Sequence, residues 1–220
     1  MAIRALIFDR DGVLTYFELA EAAAFFRPLL PISIWEMAQE WQAFGEARGF
    51  PTSVDDERRF FAAFWEKERA RHSLSPAQHE ALLAFDYTQF VRPFADAEAA
   101  LRQARQAGYR TGVLSNFSLA SLDASLHAAG LAESVDAACA ATVIGASKPQ
   151  PAAYDRIAAM LMVEPHECLF FDDEPICVAG AQAAGMYACL VDRRRQDSDV
   201  AAGVIHSLEM VPAVIERLAG

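Results

Sequence analysis

The sequence has few of the features that mark secreted, membrane-spanning or zinc-binding proteins. Its 220 residues include four cysteines and no CxxC pair, which favours buried reduced thiols over a disulfide framework or a zinc site. No apolar run approaches the roughly 20 residues of a membrane-spanning helix, and the N-terminal apolar stretch is too short for a signal peptide. We therefore expect a cytoplasmic protein with no membrane partner.

Positive charge is also scarce. The chain has 19 Lys and Arg residues against 30 Asp and Glu residues, which gives a formal net charge of −11. A protein that binds nucleic acid needs a basic surface to neutralise phosphates, so the composition excludes a nucleic acid partner. The one basic run, Arg193 to Arg195, is too short to change this conclusion, and we expect it to form an exposed loop after a strand.

What the chain does contain is apolar sequence with two different periodicities. It is 54% hydrophobic and 22% charged, enough to bury a large core. A short apolar strand at 3–8 is followed by helical periodicity from about 17 to 90, with helices expected at 18–26, 33–48, 54–72 and 76–90. Beyond residue 91, strands expected at 109–114, 137–141, 168–171 and 187–191 alternate with helices at 96–107, 119–129, 151–162, 176–184 and 208–218.

This alternation predicts an α/β fold with a doubly wound parallel sheet. The sheet and its helices would comprise residues 1–16 and 91–220, and residues 17–90 would form an inserted helical lobe. Ser53 and Ser75 are expected to cap two of its helices. The lobe is rich in aromatic residues, and their helical spacing indicates that most of them form its own core.

Polar residues follow the predicted strands at the points where ligands bind in such folds. Asp9 and Asp11 follow the first strand; because side chains alternate along extended backbone, both can face one crevice while Arg10 points elsewhere. The other polar residues of this kind are Ser115, Asn116, Lys148, Asp172 and Asp173. Each alone has an ordinary explanation as a turn residue, a helix cap or a surface charge. Their joint occurrence at successive strand ends indicates a site.

Several carboxylates in one cleft would repel each other strongly, so this arrangement requires a cation. Oxygen ligands favour Mg²⁺ over zinc. A calcium-binding loop is not indicated, because Val13, Leu14 and Tyr16 stand where such a loop needs further acidic residues.

Four segments resemble the motifs of the haloacid dehalogenase superfamily, in order and in spacing. They read "FDRDGVL", "VLSN", "SKPQPAAY" and "FFDDEPICVAGAQAAGM". The helical lobe resembles the type 1 cap of that family. The resemblance implies a Rossmann-like core and a magnesium-dependent phosphatase that hydrolyses a small phosphorylated metabolite.

The resemblance, together with the needs of phosphoryl transfer, gives each residue a role. Asp9 would be the nucleophile and form an aspartyl-phosphate. Asp11 would protonate the leaving oxygen and later take a proton from the attacking water. Ser115 and the backbone N–H of Asn116 would bind the phosphoryl oxygens, and Lys148 would neutralise charge on Asp9 and the phosphate.

The metal site is likewise implied by the resemblance. Asp9, the backbone carbonyl of Asp11 and Asp173 would bind Mg²⁺ directly, and Asp172 would support them without touching the ion. The chain departs from the family pattern at Cys177, where many relatives carry Asp or Asn, which leaves open what orients Lys148. It also departs at Arg10, which we expect to pair with an acid outside the crevice.

Other activities remain open from the sequence. A phosphomutase of the beta-phosphoglucomutase type would use the same aspartyl-phosphate; His72, His79, Arg48 and Arg58 are the groups that the cap offers for it, although surface positions are expected for them. A metal-independent 2-haloacid dehalogenase would leave Asp11 without a task. A non-catalytic binding protein on this scaffold would not need the whole set of polar residues. We expect a monomer or a homodimer.

Overall fold

The computed structural model describes residues 2–219, and its central feature is a six-stranded parallel sheet. The sheet order is β5-β4-β1-β6-β7-β8, so β1 lies in the middle between β4 and β6. The strands span Ala5–Phe8 (β1), Arg110–Ser115 (β4), Cys168–Asp172 (β6), Ala137–Ala140 (β5), Tyr187–Val191 (β7) and Val204–Ile205 (β8). The predicted doubly wound α/β class is confirmed.

Strand β1 has the apolar composition that a central strand requires, since all four of its residues are fully buried. Its side chains alternate between the two faces of the sheet: Leu6 and Phe8 pack into one apolar cluster, and Ala5 and Ile7 into another. Helices cover both faces, which explains why these strands read as continuous apolar runs.

Ten α-helices complete the described part of the chain. They span Leu19–Phe26 (α1), Ile34–Arg48 (α2), Val54–His72 (α3), Pro76–Leu83 (α4), Ala97–Gln106 (α5), Leu122–Ala128 (α6), Ala141–Ile144 (α7), Pro151–Met160 (α8), Pro175–Ala183 (α9) and Val211–Ala219 (α10). Helices α5, α6 and α10 contribute to the cluster with Leu6 and Phe8, and α8 and α9 to the cluster with Ala5 and Ile7.

Helices α1 to α4 share a third apolar cluster of their own. Its largest members, Phe64 and Trp65, are almost fully buried. The expected caps are present: the Ser53 hydroxyl accepts a hydrogen bond from the Asp56 N–H, and Ser75 forms a capping box with Gln78. The aromatic core predicted for this helical part is confirmed, with Trp35 as an exposed exception. The boundaries 1–16, 17–90 and 91–220 stay a prediction.

Two local expectations are wrong, and a third holds only in part. A two-stranded antiparallel sheet, Thr15–Phe17 (β2) with Val91–Pro93 (β3), joins the two ends of the helical segment, where no strand was expected at residue 17. The helix expected at 76–90 ends at Leu83, because the Asp86 carboxylate accepts from the Thr88 N–H and begins a 3₁₀ turn at Tyr87–Phe90. The basic run does form a loop after β7, in which Arg194 and Arg195 are exposed, but Arg193 is half-buried and binds Asp96 at 2.6 Å and the Val13 carbonyl at 2.5 Å.

Two features expected from the composition can be compared with the structure. All four cysteines are buried and free. Among residues 2–219, no helix has the length and apolar character needed to span a membrane.

The packing of α8 against α9 depends on the missing side chain of Gly180. A Cβ atom there would lie 2.6 Å from Pro149 Cβ and 2.8 Å from the Pro149 carbonyl oxygen. We expect Gly180→Ala to lower the free energy of unfolding by about 1–3 kcal/mol, because overpacking must displace backbone beside Lys148. Urea unfolding followed by circular dichroism measures this, with Ala179→Ser on the exposed side of α9 as the control. Equal stability of the two variants would contradict this packing.

Candidate active site

The candidate site lies where β1, β4 and β6 end side by side. The register pairs Phe8 with Val113 and with Phe171, so the next residues of β1 and β6, Asp9 and Asp172, lie next to each other. The Asp9 N–H donates to the Phe171 carbonyl at 2.8 Å and fixes this alignment. Carboxylate oxygens of Asp9, Asp172 and Asp173 lie within 4.8 Å of one another. The structure thus brings together acids that are up to 164 positions apart in the sequence.

Lys148 enters this group of acids as a buried cation. Its Nζ lies 2.7 Å from Asp9 Oδ1 and 2.6 Å from Asp172 Oδ2, and its side chain is 2% exposed. Asp172 is fully buried, and its second oxygen, Oδ1, accepts from the Glu174 N–H at 2.8 Å. Both oxygens of Asp172 are therefore engaged by protein groups.

Asn116 fixes the backbone of Lys148, which the sequence did not reveal. The Asn116 Nδ2 donates to the Lys148 carbonyl at 2.9 Å, and its Oδ1 accepts from the Lys148 N–H at 2.8 Å. The question raised by Cys177 is thereby answered: Asp9, Asp172 and Asn116 orient Lys148, while the Cys177 thiol contacts Glu174 Oε2 at 3.1 Å.

A cavity of about 420 Å³ opens over these residues. Ser115, 2% exposed, lines this cavity, and its Oγ accepts from the Phe117 N–H at 3.1 Å. Trp41 is the one described residue between 17 and 90 that lines the cavity. The full lining is Asp9, Asp11, Gly12, Trp41, Ser115, Asn116, Phe117, Ser118, Lys148, Asp173 and Glu174.

Arg10 does not pair with an acid outside the crevice, as the sequence had suggested. Its Nε and Nη2 donate to Asp11 Oδ2 at 3.1 and 2.5 Å, and Asp11 lines the cavity. The strand ends at Phe8 and the chain turns at once, so the alternation that separates neighbouring side chains does not extend through Arg10 and Asp11. Asp9 and Asp11 do face one cavity, as expected.

The charges of the site perturb one another. Burial raises the pKa of Asp9 to about 7, and the Asp172 carboxylate adds to this effect, while Lys148 opposes it. Burial also raises the pKa of Asp172 and of Asp173. Burial alone would lower the pKa of Lys148, but Asp9 and Asp172 outweigh it and raise that pKa. Lys148 is thus held as a cation, and the acids retain an excess of negative charge for a further cation to neutralise.

The residues present fit a Mg²⁺ ion. The set consists of carboxylate oxygens, which this hard cation prefers, and its members already lie together. Gly12 provides the space: its φ is +78°, and a Cβ atom there would lie 2.3 Å from Asp173 Oδ2. Any other residue would displace the Asp173 carboxylate from the group, which explains the glycine after Asp11.

The histidines considered for a second activity lie outside the cavity. His72 Nε2 lies 3.2 Å from Glu68 Oε2, and His79 Nε2 lies 3.5 Å from Glu66 Oε2, both pairs within the helical part. Arg48 and Arg58 do not line the cavity either. Trp41 and Arg10, in contrast, are site residues that the sequence analysis did not select. Trp41 resembles the other aromatic residues of its segment, so its position gave no distinguishing signal.

A comparison with protein families shows the family to which this chain belongs. The model of the haloacid dehalogenase-like hydrolases matches residues 3–185. The chain belongs to this family. The match contains Asp9, Ser115, Lys148 and Asp173, one residue from each of the four segments, and the family resemblance inferred from the sequence is confirmed.

Individual relatives include phosphatases and dehalogenases. Phosphatase MT3486 of Mycobacterium tuberculosis (strain CDC 1551 / Oshkosh) is 37% identical over 220 residues, 98% of each chain. A 2-haloacid dehalogenase from Pseudomonas syringae pv. Tomato DC3000 has the same fold with a TM-score of 0.68 at 22% identity, over 98% of this chain and 99% of that one. A HAD phosphatase from Thermococcus onnurineus has a TM-score of 0.62 at 21% identity, over 97% and 98%.

The raised pKa of Asp9 makes the metal-free protein less stable at high pH. The folded state binds the Asp9 proton more tightly than the unfolded chain, with a pKa of about 7 against 3.8. The resulting penalty on folding is complete above pH 7 and fades as the pH falls toward 4. We therefore expect Asp9→Asn, in EDTA, to have a higher melting temperature than wild type at pH 8, by about 2–4 °C for each kcal/mol of penalty removed. The difference in melting temperature should shrink at pH 5.

Thermal unfolding followed by circular dichroism at both pH values measures this effect. Asp197→Asn, at an exposed position away from the site, is the control and should leave the melting temperature unchanged. A difference for Asp9→Asn that is as large at pH 5 as at pH 8 would contradict the assigned cause.

Proposed function

We propose that this protein is a magnesium-dependent phosphatase that hydrolyses a small phosphorylated metabolite through an aspartyl-phosphate on Asp9. The single observation that carries the proposal is the contact of Asp9 with Lys148 in a cavity that Ser115 and Asp173 also line. A nucleophilic carboxylate, a buried cation and a cluster of oxygen ligands are the parts that phosphoryl transfer requires. The similarity over its whole length to a protein named as a phosphatase supports the same activity.

In the first step, an Asp9 oxygen attacks the phosphorus atom and the bond to the leaving oxygen breaks. Asp11, at the edge of the cavity, gives its proton to that oxygen. Lys148 and the Ser115 hydroxyl stabilise the negative charge on the phosphoryl oxygens, with the Asn116 N–H. The products of this step are the free alcohol and the aspartyl-phosphate.

In the second step, water attacks the phosphorus atom and Asp11 takes one of its protons. The bond between phosphorus and the Asp9 oxygen breaks, which restores the carboxylate and releases inorganic phosphate. Asp9, the Asp11 carbonyl and Asp173 would hold Mg²⁺, with Asp172 in support. When bound, the ion would neutralise the carboxylates and polarise the phosphoryl oxygens.

The alternatives receive less support from the site. A phosphomutase needs groups in the cap that handle a second hydroxyl, and of the described cap residues only Trp41 lines the cavity. A dehalogenase that works without metal would not need the group of three acids at Asp9, Asp172 and Asp173. A cytoplasmic location, a monomeric or homodimeric state and the lack of nucleic acid and membrane partners stay predictions.

Release of phosphate from 4-nitrophenyl phosphate tests the proposal. We expect activity with Mg²⁺, loss of activity in EDTA and its return on adding Mg²⁺. Asp9→Asn should lower kcat by about 10³-fold or more, because no nucleophile replaces the carboxylate. Asp197→Asn should keep wild-type activity. Equal activity of Asp9→Asn and wild type, or activity unaffected by EDTA, would overturn the proposal. An isomerised sugar phosphate or released halide would indicate the mutase or the dehalogenase instead.

A further inference from the structure

Arg10 is a buried cation directly after the proposed nucleophile, and its contacts extend in three directions. The residue is 4% exposed. Two of its nitrogens donate to Asp11 Oδ2, at 3.1 and 2.5 Å. Its Nη1 donates to Ser125 Oγ at 3.1 Å, and the guanidinium carbon lies 3.7 Å from the centre of the Phe117 ring. Together these contacts hold the guanidinium group in a single position.

This arrangement differs from an ordinary surface ion pair, which contributes little because both side chains are mobile. Here the cation is fixed by the protein core: Ser125 is fully buried and its hydroxyl donates to the Leu122 carbonyl at 2.7 Å. Asp11 is half exposed, with 50% of its side chain accessible. The planar fork of arginine therefore acts as a fixed anchor for a carboxylate that would otherwise rotate freely in solvent.

We propose that Arg10 is a positioning residue that holds Asp11 in place for proton transfer; this rests on the proposed function. Proton transfer requires the acid to lie within hydrogen-bond reach of the leaving oxygen. Arg10 fixes Oδ2 of Asp11, and Oδ1 has a long contact of 3.4 Å with Thr15 Oγ1. Oδ1 is thus the oxygen that exchanges the proton with substrate and water, and Arg10 acts through Asp11 without touching the substrate.

The test compares substrates that differ in their need for a proton. An alkyl phosphate must have its leaving oxygen protonated, whereas 4-nitrophenolate leaves without help. We expect Arg10→Met to lower kcat/KM for ethyl phosphate by about 10²-fold, and for 4-nitrophenyl phosphate by less than about 5-fold, because only the acid-assisted part is lost. Arg10→Lys keeps the charge without the fork and should give an intermediate loss.

A double-mutant cycle then shows whether Arg10 acts through Asp11. Asp11→Asn should reproduce the dependence on the leaving group, and Arg10→Met added to Asp11→Asn should cause no further loss beyond about 2-fold. Arg4→Met is the control. It removes an exposed arginine that pairs with Glu167 at the opposite end of β1 from the site, and it should leave kcat/KM unchanged for both substrates. Thermal unfolding of each variant reports whether it is folded.

Three outcomes decide the proposal. A larger loss of kcat/KM for ethyl phosphate than for 4-nitrophenyl phosphate, together with non-additive losses in the double variant, supports it. Equal losses for both substrates, or additive losses in the double variant, would overturn the role of Arg10 alone. A wild-type protein that releases no phosphate from either ester would overturn the proposed function and the role of Arg10 with it.

The lining of the cavity carries a second, independent inference, about the leaving group. Trp41 is the one described cap residue in the lining, and its ring packs against Phe50 and Phe60 at 5.3 and 5.8 Å between centres. Phe117 lines the cavity from the sheet side. Two aromatic residues, Trp41 and Phe117, therefore line the space that a group attached to the phosphate would occupy.

The lining of the cavity contains more acidic than basic side chains. Lys148 is the one Lys or Arg among the described lining residues, and Asp9 and Asp172 already bind it. Asp11 and Glu174 add negative charge. We infer that the leaving group is uncharged and apolar or aromatic, since a carboxylate or a second phosphate would meet acids and no free cation. This inference also rests on the proposed function.

Two alkyl phosphates with similar need for protonation test this. We expect kcat/KM for benzyl phosphate to exceed that for phosphoglycolate by about 10-fold or more, since stacking and the absence of repulsion both favour the former. Trp41→Ala should raise KM for benzyl phosphate by about 5- to 10-fold at nearly constant kcat. Trp35→Ala is the matched control: it lies on the same helix, α2, is 64% exposed and does not line the cavity.

A preference for phosphoglycolate, or equal kinetics of Trp41→Ala and Trp35→Ala, would overturn this inference. Neither result would affect the assignment of Asp9, which depends on phosphate release from 4-nitrophenyl phosphate.

Discussion

The buried ammonium of Lys148 between the carboxylates of Asp9 and Asp172 is the interaction on which the site depends. Asp9 and Asp172 are buried, and Lys148 opposes the effect of burial, which raises the pKa of both carboxyl groups. An ion pair of this kind contributes little net stability, because desolvation offsets the attraction. Its effect is to fix one oxygen each of Asp9 and Asp172 and to leave a local excess of negative charge, which a divalent cation can neutralise.

The sheet makes this interaction possible through its register. Parallel strands end at the same edge, and β1 pairs with β4 on one side and β6 on the other, so their following residues meet without any long loop. Lys148 comes from a loop, which by itself would be mobile, but the two hydrogen bonds of Asn116 tie that loop to the end of β4. The sheet, together with the loop tied to it, therefore positions Asp172 and Lys148 around Asp9.

The helical part contacts both the site and the segment that begins α6. It contributes Trp41 to the lining, and through Glu57 it also binds the sheet-bound part: the Glu57 carboxylate accepts from the Ser121 N–H at 2.8 Å and from its hydroxyl at 2.5 Å. Ser121 lies directly before α6, the helix that carries Ser125, which in turn binds Arg10. Contacts thus run continuously from the cap to the residue that anchors Asp11.

The sequence alone determined the α/β class, the helical segment after the first strand, and the identity of the polar residues at the strand ends. These follow from local periodicity and from residue chemistry, which depend only on residues close together in the sequence. The helix at 54–72 and the strand at 187–191 were predicted at their observed bounds because their patterns are unambiguous. The pairing of β2 with β3 escaped prediction, since three-residue strands have too little pattern to identify.

Only the tertiary structure decided which of these groups touch. The distance between Asp9 and Lys148, the clamp of Asn116 on the Lys148 backbone and the choice of Trp41 among many aromatic residues depend on contacts between distant segments. The pairing of Arg10 with Asp11 shows the limit even for neighbours: alternation predicts opposite sides in a strand, but the chain turns after Phe8. Periodicity describes a regular element, and the residues of this site lie just beyond the ends of such elements, where packing sets the direction of each side chain.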